Sequence, residues 1–227
     1  MACFLRDQLV PQGVQNRSSP GPNVPEYWDD QASSVELFEV SPDTNELRFY
    51  EKKFTSSIPV TVKRITRIQN LWLWEAYQFN KYRIQHKNKG IINELMLYHG
   101  SKENDPMDIC KGEDGFDLRL SNKGSWGVAL YFSESIKYSD RFAHTTPEGD
   151  KEIIIVYVLT GEAYDCGTKQ NKEIRMPPVK SSSHDNIQNV KYDSISAISK
   201  DTRVYMLYET NIAYPAYVVK YQYQQLS

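Results

Sequence analysis

Short apolar runs separated by polar turn signals dominate this chain of 227 residues. Most of these runs are rich in β-branched and aromatic residues, which favour β-strands. They lie at Val35 to Val40, Pro59 to Ile68, Val128 to Phe132, Glu152 to Thr160, Val204 to Tyr208 and Ala216 to Tyr223, and a further run ends in the sequence LYHGS at 97–101. The pattern predicts a largely antiparallel, β-rich core.

One longer segment has helical spacing instead. Asn70 can cap a helix that runs through the sequence LWLWEAYQFNKYRIQ. Leu71, Trp74, Tyr77 and Gln78 then share one side of that helix, and we expect this side to be its packing face. A second, short helix is expected around Tyr138, so the domain combines a β-rich core with helices.

Two stretches are too polar to belong to the core. Residues 10–24 combine Pro, Gly, Ser and Asn, so we predict a flexible leader or linker over residues 1–24 and one domain over 25–227. Between Gly161 and Lys200 the chain is polar again and contains Pro177-Pro178, which indicates a long loop region over the sheets.

Charge and cysteine content narrow the functional classes. Lys and Arg total 27 against 29 Asp and Glu, so the chain lacks the basic excess of a nonspecific nucleic-acid binder. Cys3, Cys110 and Cys166 are odd in number and far apart, which suggests neither a disulfide framework nor a zinc site. The start lacks a signal-peptide pattern and the longest aliphatic run is short. We expect a soluble intracellular protein, cytoplasmic or nuclear, without a metal.

The residues that suggest chemistry follow the strand that ends in LYHGS. His99 alone is more often a structural residue than a catalytic one, but Gly100 lets the backbone approach a planar ligand. Downstream, aromatic rings and a small hydroxyl follow in the order Tyr131, Tyr138, Ser139 and Phe142. Each ring taken singly could simply pack in the core. Together with His99 they could sandwich a planar ring that bears an amide.

Several motifs then occur in a familiar order. They are PEYW at 25–28, QNLWLWE at 69–75, HGS at 99–101, LYF at 130–132, YSDRF at 138–142, VLTG at 158–161, MPPVK at 176–180, YDS at 192–194 and AYPAYVVKY at 213–221. This set resembles the catalytic domain of the poly(ADP-ribose) polymerases, which are diphtheria-toxin-like ADP-ribosyltransferases. The resemblance implies an α+β fold of split antiparallel sheets with flanking helices, and NAD bound as substrate in a cleft beneath the loop between Gly161 and Pro178.

The resemblance also implies roles for single residues. His99 is similar to the histidine that hydrogen-bonds the nicotinamide ribose, and the Gly100 main chain with the Ser139 hydroxyl is similar to the pair that grips the nicotinamide amide. Tyr131 is expected on one face of the nicotinamide ring and Phe142 on the other. The remaining residues that the resemblance assigns to NAD binding are Ser101, Tyr138 and Arg119. For Arg119, which would approach the adenosine side, a surface salt bridge is the alternative.

One departure from the family pattern is informative. Polymer-forming members carry a glutamate directly before the Tyr-x-x-Tyr of a late strand, and here Val204 holds that position. Glu209 cannot replace it, because alternation along a strand puts Val204 and Tyr208 on one face and Glu209 on the other. Valine accepts no hydrogen bond, so it cannot align an incoming ribose hydroxyl. The triad His99, Tyr131 and Val204 therefore resembles the mono-ADP-ribosylating branch.

The sequence thus predicts transfer of one ADP-ribose from NAD to a protein, possible acceptors including the chain itself. Two alternatives stay open. The chain could be an inert module that binds NAD weakly or not at all, since a fold does not guarantee activity. It could also pass ADP-ribose to water or to a nucleic-acid end, because only the acceptor would differ. The sequence does not indicate an oligomeric state, and we assume a monomer.

Overall fold

A computed structural model describes residues 23–181 and 189–224 of the chain. Its helices and strands, in chain order, are β1 Val35–Glu39, α1 Asn45–Ser57, β2 Val60–Asn70, α2 Leu71–Lys87, β3 Glu94–His99, α3 Pro106–Lys111, β4 Lys123–Gly124, β5 Gly127–Val128, β6 Leu130–Ser133, α4 Ile136–Ser139, β7 His144–Thr145, β8 Lys151–Leu159, β9 Ala163–Asp165, β10 Ser194–Ser199, β11 Thr202–Leu207 and β12 Ala213–Tyr223. Single turns of 3-10 helix lie at Leu118–Leu120 and Asp140–Phe142.

The strands confirm the predicted α+β class. Nine of them follow one path, in the order β1-β2-β12-β8-β3-β6-β11-β10-β9, with β7 added beside β8 and a separate β4-β5 hairpin. All of these pairings are antiparallel except the parallel pair of β9 and β10. Within the described residues β3 and β6 share a single pair, Tyr98 with Ser133, whereas β3 pairs with β8 along its full length. The sheet is therefore two half-sheets joined at a narrow junction.

Each half-sheet has its own hydrophobic cluster. The larger cluster lies around β8, whose residues Ile153 to Val156 are fully buried as expected for a central strand. The smaller cluster lies beside β10 and β11. Strand β11 serves both, because Val204 and Met206 belong to the smaller cluster and Tyr205 to the larger. This confirms the alternation that the sequence predicted for β11.

The packing face predicted for α2 is partly wrong. Its buried residues are Leu73, Trp74, Tyr77, Asn80 and Ile84, whereas the predicted Leu71 and Gln78 are only half-buried. The error has a physical cause: α2 also carries large aromatic side chains on its exposed side, so apolar spacing alone does not identify the side that meets the sheet. Among the described helices none is long and apolar enough to cross a membrane.

The predicted loop region from Gly161 to Lys200 is also partly wrong, because it contains β9 and β10. Strand β10 has the polar sequence SISAIS, yet Ser194 and Ser196 are buried. The Ser194 hydroxyl donates to the Thr160 carbonyl at 2.7 Å, so a small polar side chain is buried without an unmet hydrogen bond. Helices α1 and α3 were not predicted either.

The predicted leader lies almost entirely in residues 1–22, which are outside the described part of the chain, so its nature stays a prediction. Contacts with the domain already include Asn23, whose carbonyl accepts a hydrogen bond from the Trp74 indole at 2.8 Å. The predicted start of the domain at Pro25 likewise stays a prediction.

Asn70 both caps α2 and joins it to the end of α3. Its side chain caps α2 by accepting from Leu73 N at 3.2 Å, and its amide donates to the carbonyls of Cys110 and Gly112. Thr44 only caps α1. We expect Thr44→Ala to lower the free energy of unfolding by about 1 kcal/mol and Asn70→Ala by roughly 2–3 kcal/mol, since the buried Cys110 carbonyl and the half-buried Gly112 carbonyl also lose their donor. Urea denaturation measures both, and equal losses would contradict the bridging role of Asn70.

Candidate functional site

A cleft of about 670 Å³ lies beside the junction of the two half-sheets. Its walls come mainly from 98–104 at the end of β3, from 115–117 and 120–126, from 129–132, from 138–139 with 141–142, and from Val204 on β11. Eight of the nine predicted site residues lie in this lining; the eight are His99, Gly100, Ser101, Tyr131, Tyr138, Ser139, Phe142 and Val204. The junction thus brings together residues that are separated by more than a hundred positions in the chain.

His99 is held by the neighbouring half-sheet. Its Nδ1 lies 2.8 Å from the backbone carbonyl oxygen of Tyr131. A carbonyl oxygen only accepts, so Nδ1 carries the proton and Nε2 of the neutral ring is a hydrogen-bond acceptor. Burial lowers the pKa of His99, and the bond to the Tyr131 carbonyl opposes this more weakly. The ring is therefore neutral at neutral pH, packed between Phe116 and Phe132.

Gly100 is required by the protein's own backbone. A Cβ at this position would collide with the backbone of Phe142 and would lie 2.7 Å from the carbonyl oxygen of Ser139. The sequence argument attributed this glycine to the approach of a ligand, whereas the structure shows that the segment 139–142 already occupies the space. The buried Ser139 hydroxyl donates to the Tyr98 carbonyl at 3.0 Å, which fixes it beside Gly100. Its oxygen can still accept a hydrogen bond.

Tyr131 is anchored at its hydroxyl. That group donates to the Gly127 carbonyl and accepts from the Trp126 backbone N–H, both at 2.9 Å. Burial raises the pKa of Tyr131 to about 12, so the hydroxyl stays protonated. A Cβ on Gly124 would lie 2.6 Å from the Tyr131 ring. The glycine at 124 therefore lets the β4-β5 hairpin close over this ring.

Two further rings line the cleft near Ser139. The ring centroids of Tyr138 and Phe142 are 5.7 Å apart, and Phe142 is about half exposed. The Tyr138 hydroxyl is hydrogen-bonded to the Ser199 hydroxyl at 3.0 Å, which ties it to the hairpin of β10 and β11. The Arg141 guanidinium lies 5.7 Å from the centroid of the Tyr138 ring. Two aromatic side chains of the cleft lining thus lie on the same short segment as Ser139, and aromatic faces can pack against a planar ring.

Val204 and Glu209 lie in different places. Val204 is buried, lines the cleft and pairs with Ser133 across the sheet. Glu209 is exposed, 3.9 Å from Arg83 of α2, and is not part of the cleft lining that the structure describes. The cleft position that the resemblance gives to a glutamate is therefore apolar, and the carboxylate five residues later does not reach it.

Arg119 is the predicted site residue that does not line the cleft within the described structure. Its guanidinium pairs with Asp117 at 2.8 Å and with Asp114 at 2.5 Å, and its side chain is largely exposed. This is the placement that the salt-bridge alternative describes. A role for Arg119 toward NAD stays a prediction.

The expectation that the cleft lies beneath the loop between Gly161 and Pro178 is not met, since no residue of this described segment is part of the lining. The loop supports the 123–127 wall instead. Asn171 N donates to the Ser125 carbonyl at 3.1 Å, the Trp126 indole donates to the Lys169 carbonyl at 2.9 Å, and Lys123 pairs with Glu173 at 2.7 Å.

Sequence reasoning missed several residues that shape the site. Phe116 packs edge-on against His99, and Trp126 holds the Tyr131 hydroxyl. The glycines at 115, 124 and 127 around these residues were the available signal, because a glycine beside an aromatic residue often marks a close backbone approach. No group of three or more potential metal ligands occurs in the part of the chain that the structure describes.

Comparison with known proteins places this geometry in a family. A model of the poly(ADP-ribose) polymerase catalytic domain matches residues 45–223. Protein mono-ADP-ribosyltransferase PARP12 of Homo sapiens is 29% identical over 232 residues, covering 96% of this chain and 32% of that protein. A protein of Dictyostelium discoideum named as a probable poly [ADP-ribose] polymerase is 27% identical over 210 residues, covering 87% of this chain and 57% of that protein.

A third relative, protein mono-ADP-ribosyltransferase PARP14 of Homo sapiens, is 27% identical over 220 residues, covering 92% of this chain and 11% of that protein. The chain thus spans about a third of the length of PARP12 and about a tenth of PARP14. The family model begins where α1 begins and ends where β12 ends, so it takes in every segment that lines the cleft. The chain belongs to the poly(ADP-ribose) polymerase catalytic-domain family.

Proposed function

We propose that this protein transfers a single ADP-ribose unit from NAD to a protein acceptor and releases nicotinamide. The observation that carries the proposal is the cleft itself, in which His99, Tyr131 and Ser139 meet while Val204 stands at the position of the polymerase glutamate. Members of the family use NAD as substrate. Two of the relatives described above are named mono-ADP-ribosyltransferases, and one is named a probable polymerase.

The nicotinamide end of NAD fits the aromatic part of the cleft. A flat amide-bearing ring would lie between Tyr131 and Phe142, with its amide held by the Gly100 main chain and the Ser139 hydroxyl. The Ser139 hydroxyl already donates to Tyr98, so it would act toward the amide N–H as an acceptor. Neutral His99 would accept a hydrogen bond from a ribose hydroxyl at Nε2, because Nδ1–H is committed to the Tyr131 carbonyl.

Transfer breaks the bond between the ribose carbon and the nicotinamide nitrogen. The electron pair of this bond goes to nicotinamide and neutralises its ring charge, while the acceptor forms a new bond to the same carbon and loses a proton. The chain's contribution would be orientation and exclusion of water around the developing charge. Val204 provides no base, so the acceptor must bring a nucleophile that is reactive by itself.

The proposal also includes the cellular compartment of this protein and the acceptor of ADP-ribose. Cys110 and Cys166 carry free thiols, which supports an intracellular, reducing compartment where NAD is abundant. Acceptors would include other proteins and this chain.

The first test is His99→Ala in an assay with NAD labelled on its adenylate half. We expect a discrete labelled protein band in the wild type and a loss of at least about a hundredfold in the variant, because the ribose loses its orienting acceptor. His86→Ala is the matched control, since His86 lies on α2 beside Tyr82 and outside the cleft. Equal labelling by His99→Ala and the wild type would refute the proposed site.

A second test concerns the length of the product. Val204→Glu should keep a discrete band, at reduced intensity, and should form no high-molecular-mass smear. A carboxylate at this buried position is poorly solvated, which raises its pKa and weakens it as a hydrogen-bond acceptor, and chain growth also needs a site for the acceptor ADP-ribose. Val204→Leu controls for the change in volume. A smear from the wild type would overturn the assignment of single transfer.

The pH dependence should follow His99. Its pKa in the folded chain lies below the ordinary value of 6.5, so NAD binding should be constant above that value and weaken as acid protonates Nε2. Between the two pKa values the unfolded chain binds more protons, so stability should also rise with pH across this interval. Titration of NAD affinity and of the urea midpoint from about pH 5 to about pH 8, beside His99→Gln, measures both. Affinity that declines as pH rises through neutrality would contradict a neutral acceptor.

A further inference from the structure

Asp140 lies in the sequence between Ser139 and Phe142, two residues of the cleft lining that the proposed function assigns to nicotinamide binding. It is buried, and its carboxylate accepts three hydrogen bonds. Oδ1 accepts from the Tyr221 hydroxyl at 2.7 Å and from Lys151 Nζ at 3.0 Å, and Oδ2 accepts from the Tyr223 hydroxyl at 2.8 Å. Lys151 also donates to the Asp140 carbonyl at 3.0 Å.

The donors belong to the large half-sheet. Tyr221 and Tyr223 are two residues apart near the end of β12, so they project from the same face of the strand. Lys151 is the first residue of β8 and pairs with Tyr221 in the sheet. One carboxylate thus fastens the segment 139–142 to two adjacent strands.

The segment needs such a fastening because it has little structure of its own. Helix α4 is four residues long, and Asp140–Phe142 is a single 3-10 turn. Helices this short are not stable by themselves. Yet Ser139 must hold its bond to Tyr98, and the Phe142 backbone must lie against Gly100, for the cleft to keep its shape.

The carboxylate is ionised at neutral pH. Burial raises the pKa of Asp140, but the hydrogen bonds from Tyr221, Tyr223 and Lys151 outweigh it, so the pKa lies below the usual value of an aspartate. Lys151 supplies the compensating charge at 3.0 Å. A neutral side chain at 140 would leave this lysine without its anionic partner and two tyrosine hydroxyls without a charged acceptor.

We propose that Asp140 is a positioning residue, whose carboxylate holds Ser139 and Phe142 in the geometry that grips the nicotinamide ring of NAD. The identity of the ligand rests on the proposed function. The fastening itself rests on the contacts of Asp140 alone.

The test compares two buried carboxylates of similar bonding. Asp193 accepts from Lys87 at 2.6 Å, from Asn88 Nδ2 at 2.7 Å and from Glu162 N at 2.8 Å, and it is not part of the cleft lining that the structure describes. Asp193→Asn should therefore destabilise the fold to a similar extent as Asp140→Asn without touching the site. We expect Asp140→Asn to raise the KM for NAD and the Kd for nicotinamide by about tenfold, with a smaller change in kcat, and Asp193→Asn to change neither constant.

A second variant guards against poor folding of Asp140→Asn. The double substitution Tyr221→Phe with Tyr223→Phe keeps the rings and removes two of the donors, so it should weaken nicotinamide binding in the same direction and by less. If neither Asp140 nor the tyrosine pair affects nicotinamide affinity, or if Asp193→Asn weakens it as much, the inference is wrong.

Backbone hydrogen exchange separates this inference from the proposed function. Amides of residues 139–143 should exchange faster in Asp140→Asn and at the wild-type rate in Asp193→Asn. Wild-type protein that binds nicotinamide but transfers no label would end the proposed activity and leave the affinity comparison in force. If the wild-type protein binds neither nicotinamide nor NAD, both the proposed activity and the role of Asp140 in nicotinamide binding are wrong. If exchange at residues 139–143 is also unchanged in Asp140→Asn, Asp140 does not fasten this segment to the sheet.

Discussion

The candidate site depends on the narrow junction between the two half-sheets. Among the described residues, β3 and β6 are joined by the single pair of Tyr98 and Ser133. Close to that pair, the side chain of His99 at the end of β3 donates from Nδ1 to the Tyr131 carbonyl of β6 at 2.8 Å. A carbonyl oxygen only accepts, so this bond determines the tautomer of His99. The cleft lies beside this junction of the two half-sheets.

Three of the residues that line the cleft carry no formal charge at neutral pH. His99 is neutral because burial lowers its pKa, Tyr131 is protonated because burial raises its pKa, and Val204 has no polar atom. In the proposed complex with NAD, the positively charged nicotinamide ring would meet dipoles, aromatic faces and hydrogen-bond acceptors. Such groups orient a ligand without a large cost of desolvating fixed charges. The Arg141 guanidinium also lines the cleft, 5.7 Å from the centroid of the Tyr138 ring, whereas the Asp140 carboxylate is paired with Lys151.

Two cores allow one strand to shape the cleft and to stabilise the fold. Strand β11 is buried on both faces, so Tyr205 contributes to the large cluster while Val204 contributes to the small one and to the lining. The side chain at position 204 is therefore constrained by packing in the small cluster as well as by its place in the cleft lining. The same holds for Gly100 and Gly124, where a side chain would displace backbone or the Tyr131 ring before any ligand arrives.

Local sequence determined the parts of this protein that depend on neighbours in the chain. The aliphatic run of β8, the cap of α2 at Asn70 and the alternation that separates Val204 from Glu209 could be predicted because each rests on spacing or on a short-range hydrogen bond. The chemistry of His99 and Ser139 was suggested by residue type and by order along the chain.

Tertiary structure alone decided the rest, because it depends on contacts between distant segments. The packing side of α2 was hidden by aromatic residues on both of its sides, and β10 was hidden by serines whose hydroxyl groups are satisfied only in the folded chain. The loop after Gly161 was placed by partners that no local pattern identifies, such as the Trp126 indole that donates to the Lys169 carbonyl. The fastening of Asp140 to Tyr221 and Tyr223 joins residues more than 80 positions apart, and only the closed sheet brings them within a hydrogen bond.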